Sequence, residues 1–487
     1  MPIFSRPIAA RSRIKKRLLL LSTSTFVTLC LLFHLHRRGP AFPFLSSTAT
    51  STSTSTETTT TTTSTSTSTS SASTSPFPPL LSLHHLLFSV ASSASSLPRR
   101  TPYLHLWYDP ISAFNNTFLF LDRPTPEPTN PSSLPPIVIS SKPSPNLQSG
   151  YRIARIVKDA FDLNIPDIYW FVFGDDDTIF FTENLVRILS KYDHNRWYYI
   201  GYGSESFEQN DKFFFGMAFG GGGFAISAPL ARILARVLDS CLDRYPHLYG
   251  SDARIFACLA ELGVGLTPEP GFHQVDVRGD LFGFLAAHPL SPALSLHHME
   301  AVEPIFPNMS RIQSLEHLFE AVQVDPARVL QQTVCYDLAN SLTISIAWGY
   351  AVQVYEGNQL LPDILSLQRS FRPWRRGKHV VSSHYMFNTR WFPRDPCKRP
   401  VVFFMHTVVS DSDEVWTSYA KHNDDDCVRL KAVEKIKVIR VFSQKLDVNI
   451  EQLKTPRRHC CDISPFDETM VIRIRQCGID ELIAMRT

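Results

Sequence analysis

The sequence predicts an α/β protein built on a mostly parallel sheet, with a β-rich C-terminal part and one apolar segment near the N-terminus. Three observations lead there. Between residues 85 and 262, short apolar runs alternate with stretches of helical periodicity, the pattern of β-α-β units. Tyr169-Trp170-Phe171-Val172-Phe173-Gly174 is apolar throughout, as a strand covered on both faces is. Beyond about residue 330 the texture changes to strand-like alternation.

Residues 85–91 read as the first strand, followed by a small-residue turn at 92–96. Residues 118–122 read as the second strand. The Pro-rich piece 123–145 reads as a loop with a short apolar insert, Ile137-Val138-Ile139. Within 151–163, Ile153, Ile156, Val157, Ala160 and Phe161 form one helical face. The aromatic strand follows. Residues 182–192 read as a helix with Thr182 as its cap, and 197–202 as a strand. Residues 213–219 read as an aromatic strand leading into Gly220-Gly221-Gly222-Gly223. Four glycines let a backbone approach a ligand or another strand closely. No Gly-Lys-Ser/Thr follows, so this is not a phosphate loop of that type. Residues 229–245 and 252–262 read as helices. Residues 342–348, 351–355, 401–404 and 471–475 read as strands of a small sandwich.

The chain has 487 residues, room for about two or three domains. Its hydrophobic content of 44% can fill a sizeable core, and a net charge of +3 argues against a nucleic-acid partner. Residues 18–35 are apolar over a length near the minimum for a membrane span. Arg6, Arg11, Arg13, Lys15, Lys16 and Arg17 precede that stretch, which predicts a cytosolic N-terminus and a luminal remainder. A cleaved signal peptide is the alternative, but residues 34–38 offer no small-x-small site. Residues 46–75 are almost entirely Ser and Thr, a composition that cannot bury a core and reads as an O-glycosylated stalk or a plain linker. Eight cysteines beyond the apolar stretch permit disulfides in a lumen. Sequons at Asn115 and Asn308 fit that compartment. The expected division is a cytosolic tail at 1–17, a signal anchor at 18–35, a stalk at 36–83, a catalytic domain at 84–329 and a β-rich domain at 330–487.

The aromatic strand ends in Asp175-Asp176-Asp177. Ligand sites of open α/β sheets lie at such carboxyl ends. Crowded carboxylates raise one another's pKa, and a bound cation relieves them. Hard oxygen donors suit Mg²⁺ or Mn²⁺. The plain alternative is a solvated acidic turn, which is how Asp424-Asp425-Asp426, with no strand before it, reads. An EF-hand loop starting at Asp175 fails, because Ile179 and Phe180 stand where an oxygen ligand and a glycine are needed.

The acidic strand end, Tyr198-Tyr199-Ile200-Gly201, Gly220-Gly221-Gly222-Gly223-Phe224-Ala225-Ile226-Ser227, Gly250-Ser251-Asp252 and Gly271-Phe272-His273-Gln274-Val275-Asp276 come in an order that resembles the Fringe-like glycosyltransferases of family 31. The resemblance is greatest to their plant-specific, Fringe-related group and runs from about residue 86 to the C-terminus. It implies a GT-A, Rossmann-like fold that takes a UDP-sugar and Mn²⁺ (or Mg²⁺). It also implies a type II Golgi membrane protein acting on a glycan, glycoprotein or glycoside acceptor with inversion. By this match Asp177 ligates the metal and Asp175 and Asp176 face the nucleotide or the metal's waters. His273 completes the metal shell, with His297 and His298 as rivals. The turn at 92–96 and the loop at Gly221 and Gly222 contact the nucleotide. Asp252 is the base, although Ser251 stands where the family pattern has a first acid.

Two other readings fit the same residues. One is a transferase fold that binds sugar nucleotides without turnover. The other is a phosphatase of the haloacid-dehalogenase type, whose Asp-x-Asp strand end fits but whose later Lys and acidic pair are not evident.

Overall fold

The structure is a computed structural model that describes residues 81–111, 116–125, 133–140, 149–288, 290–375, 384–422, 427–447 and 449–483. The chain divides into two units, 1–76 and 77–487, and the described residues belong to the second. The apolar span at 18–35, the stalk at 46–75 and the triplet at 424–426 lie outside them. Among the described residues no helix is long and apolar enough to cross a membrane.

The first half is a doubly wound sheet. In chain order its elements are β1 (Leu86–Ala91), α1 (Leu97–Leu104), β2 (Asn116–Leu121), β3 (Ile137–Ile139), α2 (Ser149–Asp162) and β4 (Trp170–Asp175). Then come β5 (Ile179–Phe180), α3 (Thr182–Leu189), β6 (Tyr199–Gly201), α4 (Phe207–Lys212), β7 (Phe224–Ser227), α5 (Ala228–Arg244), α6 (Ser251–Glu261) and β8 (Leu266–Pro268). The strand order is β3-β2-β1-β4-β7-β6-β8. All pairings are parallel except those of β7, which runs antiparallel to both β4 and β6. Trp170, Phe171, Val172 and Phe173 of β4 are buried, because helices cover both faces of this central strand. On one face Ala154, Val157 and Ala160 of α2 meet Leu230, Leu234 and Leu238 of α5 and Ile255 of α6. On the other, Leu185, Ile188 and Leu189 of α3 pack against Trp170, Val172 and Ile200. Each buried Leu, Ile, Val or Phe among them contributes about 1.5–3 kcal/mol.

A small three-stranded sheet, β5-β10-β9, joins Ile179–Phe180 to β9 (Phe272–His273) and β10 (Ser295–Leu296). It brings the chain near residue 297 back beside the end of β4. Helix α7 (Arg311–Val324) leads to the second large sheet. That sheet contains β11 (Gln332–Asp337), β12 (Leu342–Ala347), β13 (Ala351–Glu356), β14 (Val401–Asp411), β15 (Glu414–Lys421), β16 (Val438–Gln444), β17 (Cys460–Ile463) and β18 (Thr469–Arg475). Its order is β11-β12-β13-β14-β15-β16-β18-β17. One core runs from Tyr103 of α1 and Ile179 of β5 through Leu318 and Trp348 to Ile474, so the second sheet packs against the small sheet and α1.

Several expectations change. The tail is one eight-stranded sheet, not a sandwich; it curls until its two edge strands, β11 and β17, are linked by Cys335–Cys461. Ile137-Val138-Ile139 is an edge strand, because β2 would otherwise leave its backbone edge unpaired there. Residues 213–219 are not a strand. Their rings pack in pairs, Phe214 on Phe256 at 4.7 Å, and leave Phe214 and Phe215 exposed. Thr182 is the first residue of α3 and not its cap; Phe181 precedes it and no side chain caps the helix. The sequence reading also missed α1, whose Pro98 suits a first turn and whose Pro102 lies inside the helix.

Candidate active site at the end of the central strand

Asp175 is the last residue of β4, and a tight turn carries the next two aspartates away from the sheet. Thr178 pins that turn. Its Oγ1 accepts from the Asp175 amide at 2.8 Å and donates to the Gly221 carbonyl at 2.7 Å. The acidic turn and the glycine loop are therefore tied together.

The three carboxylates have different surroundings. Asp176 is satisfied by protein: Ser92 and Ser96 each donate to its Oδ2 at 2.6 Å, and Arg100 to its Oδ1 at 2.7 Å. The turn at 92–96 thus holds Asp176. Asp177 is fully buried. Its Oδ1 receives Arg100 Nη1 at 2.7 Å and His297 Nε2 at 3.1 Å. Its Oδ2 has no partner. Asp175 keeps 36% of its side chain exposed and lies 3.8 Å from His297 Nε2. Arg100 also reaches Glu300 at 2.9 Å.

Electrostatics follow from this crowding. Burial raises Asp177, but His297 and Arg100 outweigh it and hold the acid down to about 2. Burial lowers His297, but Asp177 and Asp175 raise it to about 9. Asp175 is pushed up to about 7 by desolvation and by Asp177, Asp252 and Asp176, against the pull of His297.

Asp175, Asp177 and His297 each offer a ligand atom within 4.8 Å of the others. The buried Asp177 Oδ2 and His297 Nδ1 are both unpartnered. A buried polar atom without a partner is costly, so these residues fit a divalent cation of the oxygen-and-imidazole type. Among the described residues the other such group is Cys460, Cys477 and Glu481, and its two cysteines are joined in a disulfide.

His273 is not in this cluster. Its Nδ1 lies 3.2 Å from Glu205 and its Nε2 2.8 Å from His288, and burial lowers it to about 4. The paired strands explain the difference. His273 sits in register opposite Leu296, and the next residue, His297, clears the strand end and turns toward Asp177. His298, stacked on Trp374 at 4.3 Å, contacts Asp276.

The glycine loop makes room for other groups. A Cβ on Gly221 would lie 2.1 Å from His297 Cε1, and one on Gly220 would lie 2.6 Å from Asp252 Oδ1. Gly222 donates its amide to Gln274 at 2.5 Å. Gly221 and Gly222 are both buried and contact protein groups.

Asp252 stands in the first turn of α6, after Gly250, whose φ of 84° favours glycine. Ser251 Oγ donates to Asp252 Oδ1 at 2.9 Å. Burial raises the acid, opposed by that hydroxyl, the Gly220 backbone and His297. Asp252 and Asp175 line one small void of about 20 Å³ together with Gly174 and Gly220. The structure therefore unites Asp175, Asp177, Asp252 and the glycine loop, exchanges His273 for His297, and adds Arg100 and Glu300. Neither of the last two carries a sequence signal of its own.

No curated protein matches this sequence. Among solved structures the chain is similar to one described as the crystal structure of a glycosyltransferase involved in the glycosylation of the major capsid of PBCV-1. That likeness has 12% identity, covers 47% of this chain and 98% of the other, and has a TM-score of 0.26, too distant to bear on fold or function. A family model described as "Protein of unknown function, DUF604" matches residues 209–461, a span that runs from the glycine loop, Asp252 and His297 through most of the second sheet. With more than half of its length inside that match, this chain belongs to the DUF604 family.

Proposed function

We propose that this protein is a metal-dependent glycosyltransferase that moves a sugar from a UDP-sugar to a glycan, glycoprotein or glycoside acceptor with inversion. One observation carries the reading. Asp175, Asp177 and His297 converge at the carboxyl end of β4, where the buried Asp177 Oδ2 has no partner. Asp175, Asp177 and His297 would hold Mn²⁺ or Mg²⁺. When bound, such an ion neutralises charge on a diphosphate leaving group.

The chain's own residues supply the rest. Asp252, raised by burial, accepts the acceptor hydroxyl proton. The freed oxygen forms its bond to the anomeric carbon as the bond from that carbon to the UDP oxygen breaks. Arg100 and the serines at 92 and 96 lock Asp176, which fixes the acidic turn. The Golgi type II placement rests on residues 18–35 and their basic flank.

A second reading, binding without turnover, draws on Ser251, which donates to Asp252 in place of a first acid. One experiment separates the two. The full-length protein is tested with a panel of UDP-sugars, with and without Mn²⁺, for donor hydrolysis and transfer. Hydrolysis only with metal, and Asp252→Asn that still binds UDP but transfers at least about 100-fold more slowly, supports the transferase. Metal-independent turnover, or an Asp252→Asn variant with full activity, overturns it.

A further inference from the structure

Away from the acidic turn lies a larger cavity of about 760 Å³. Its walls come from the end of α3, the turn at 268–270, the segment 290–292, the start of β11, and residues 446 and 452–459. This volume falls within the range that encloses a small organic ligand, about 300–1,000 Å³. None of Asp175, Asp177, His297 or Asp252 lines it.

The lining is cationic. Lys191, Lys454, Arg457 and Arg458 face it, against the single lining carboxylate of Glu269, and Lys454 also pairs with Glu451 at 3.2 Å. Glu269 is already engaged by Lys191 and by the Tyr192 hydroxyl. The two arginines spend their donors on backbone. Arg458 Nη1 reaches the Gln332 carbonyl at 3.0 Å, and Arg457 reaches the carbonyls of Gly478 and Glu481 at 2.9 and 2.6 Å. Among the described residues no carboxylate forms an ion pair with Arg458, and the Glu481 carboxylate that Arg457 helps to hold down is paired with Arg475. Arg458 is half-buried, and desolvation lowers it to about 10.

The remaining lining has two characters. Pro268, Pro270, Pro292 and Pro456 give flat apolar surface, while Gln331, Gln452 and Gln476 give amides. Hydroxyl-bearing rings with apolar C–H faces suit such a mixture, and guanidinium groups pair best with carboxylate or sulfate.

We propose that this cavity binds an acidic saccharide, with its carboxylate or sulfate at Arg457 and Arg458. The proposal does not depend on the transferase reading, since binding is measured without donor or metal. The full-length protein is titrated calorimetrically with an oligogalacturonide, a sulfated oligosaccharide, a neutral galactan of equal length and inorganic sulfate. At least one acidic saccharide should bind more than tenfold tighter than the neutral one, and which acid wins identifies the anion. Lys454→Gln with Arg457→Gln, both exposed, should weaken that binding at least tenfold and leave the melting temperature unchanged. Arg458→Gln should act in the same direction; if that variant fails to fold, the exposed pair decides. Equal binding of neutral and acidic chains, sulfate binding as tight as the saccharides, or full affinity in the Lys454/Arg457 variant overturns the proposal.

Discussion

At the scale of single residues, the site depends on which histidine has space to turn toward the aspartates. His297 has it because Gly221 carries no side chain. Gly221→Ala should displace the ring, cost about 1–3 kcal/mol of stability, and abolish Mn²⁺ binding in a calorimetric titration. Wild-type affinity in that variant would detach the metal from His297. His297→Ala should lower Mn²⁺ affinity more than about tenfold. His273→Ala should leave that affinity unchanged and destabilise the fold by about 1–3 kcal/mol, because it removes the ring between Glu205 and His288. If His273→Ala loses metal and His297→Ala keeps it, the reassignment fails. His297 stands in the sequence next to a second histidine, in a run with no motif spacing to favour either. Its approach to Asp177 depends on the pairing of β10 with β9 and with β5, the latter more than a hundred residues away in the chain.

At the scale of elements, the second sheet is fastened at its ends. Cys460 and Cys461 are neighbours on β17, so their side chains leave opposite faces and reach different partners, Cys477 and Cys335. Cys335–Cys461 spans 126 residues of sequence, whereas Cys241–Cys258, which ties α5 to α6, spans 17. Loop-closure entropy assigns about 4–5 kcal/mol to the first and about 3 to the second. Replacing Cys335 and Cys461 together by Ser should therefore lower the urea midpoint more than replacing Cys241 and Cys258. The reverse order would mean that strand packing alone holds β11 against β17. Four of the eight strands of this sheet, β12, β13, β14 and β18, were legible because each alternates or is continuously apolar, whereas β11, β15, β16 and β17 were not read. Its closure was not, since periodicity carries no information on which edges meet. Helix α1 was illegible for a local reason: two prolines disguise it, yet it delivers Arg100 to Asp176 and Asp177.

At the scale of the whole molecule, stability should depend on pH through a carboxyl group remote from solvent. Glu205 is buried, and desolvation together with Asp276 raises it to about 8 from an ordinary 4.5. The folded protein thus keeps this proton up to about pH 8, while the unfolded chain loses it near 4.5. Between those values the folded state binds more protons, so stability falls as pH rises, by at most about 1.4 kcal/mol per pH unit from this group. Glu205→Gln should flatten that part of the curve when unfolding free energy is measured from pH 5 to 8. An unchanged slope would assign the dependence to other groups.

Legible in the residues alone were the alternation of strands and helices, the burial of 170–174 and the acidic tip that follows. These are properties of a short window, where side-chain period and charge burial leave few arrangements. The sequence also supplied the order of motifs that brings Asp252 and the glycine loop into the same reading. Folding in three dimensions settles that Asp176 is consumed by Ser92, Ser96 and Arg100, that His297 joins Asp175 and Asp177, and that the tail curls into one disulfide-linked sheet. Each of those depends on contacts between segments distant in the chain, and such contacts are set by how whole faces pack.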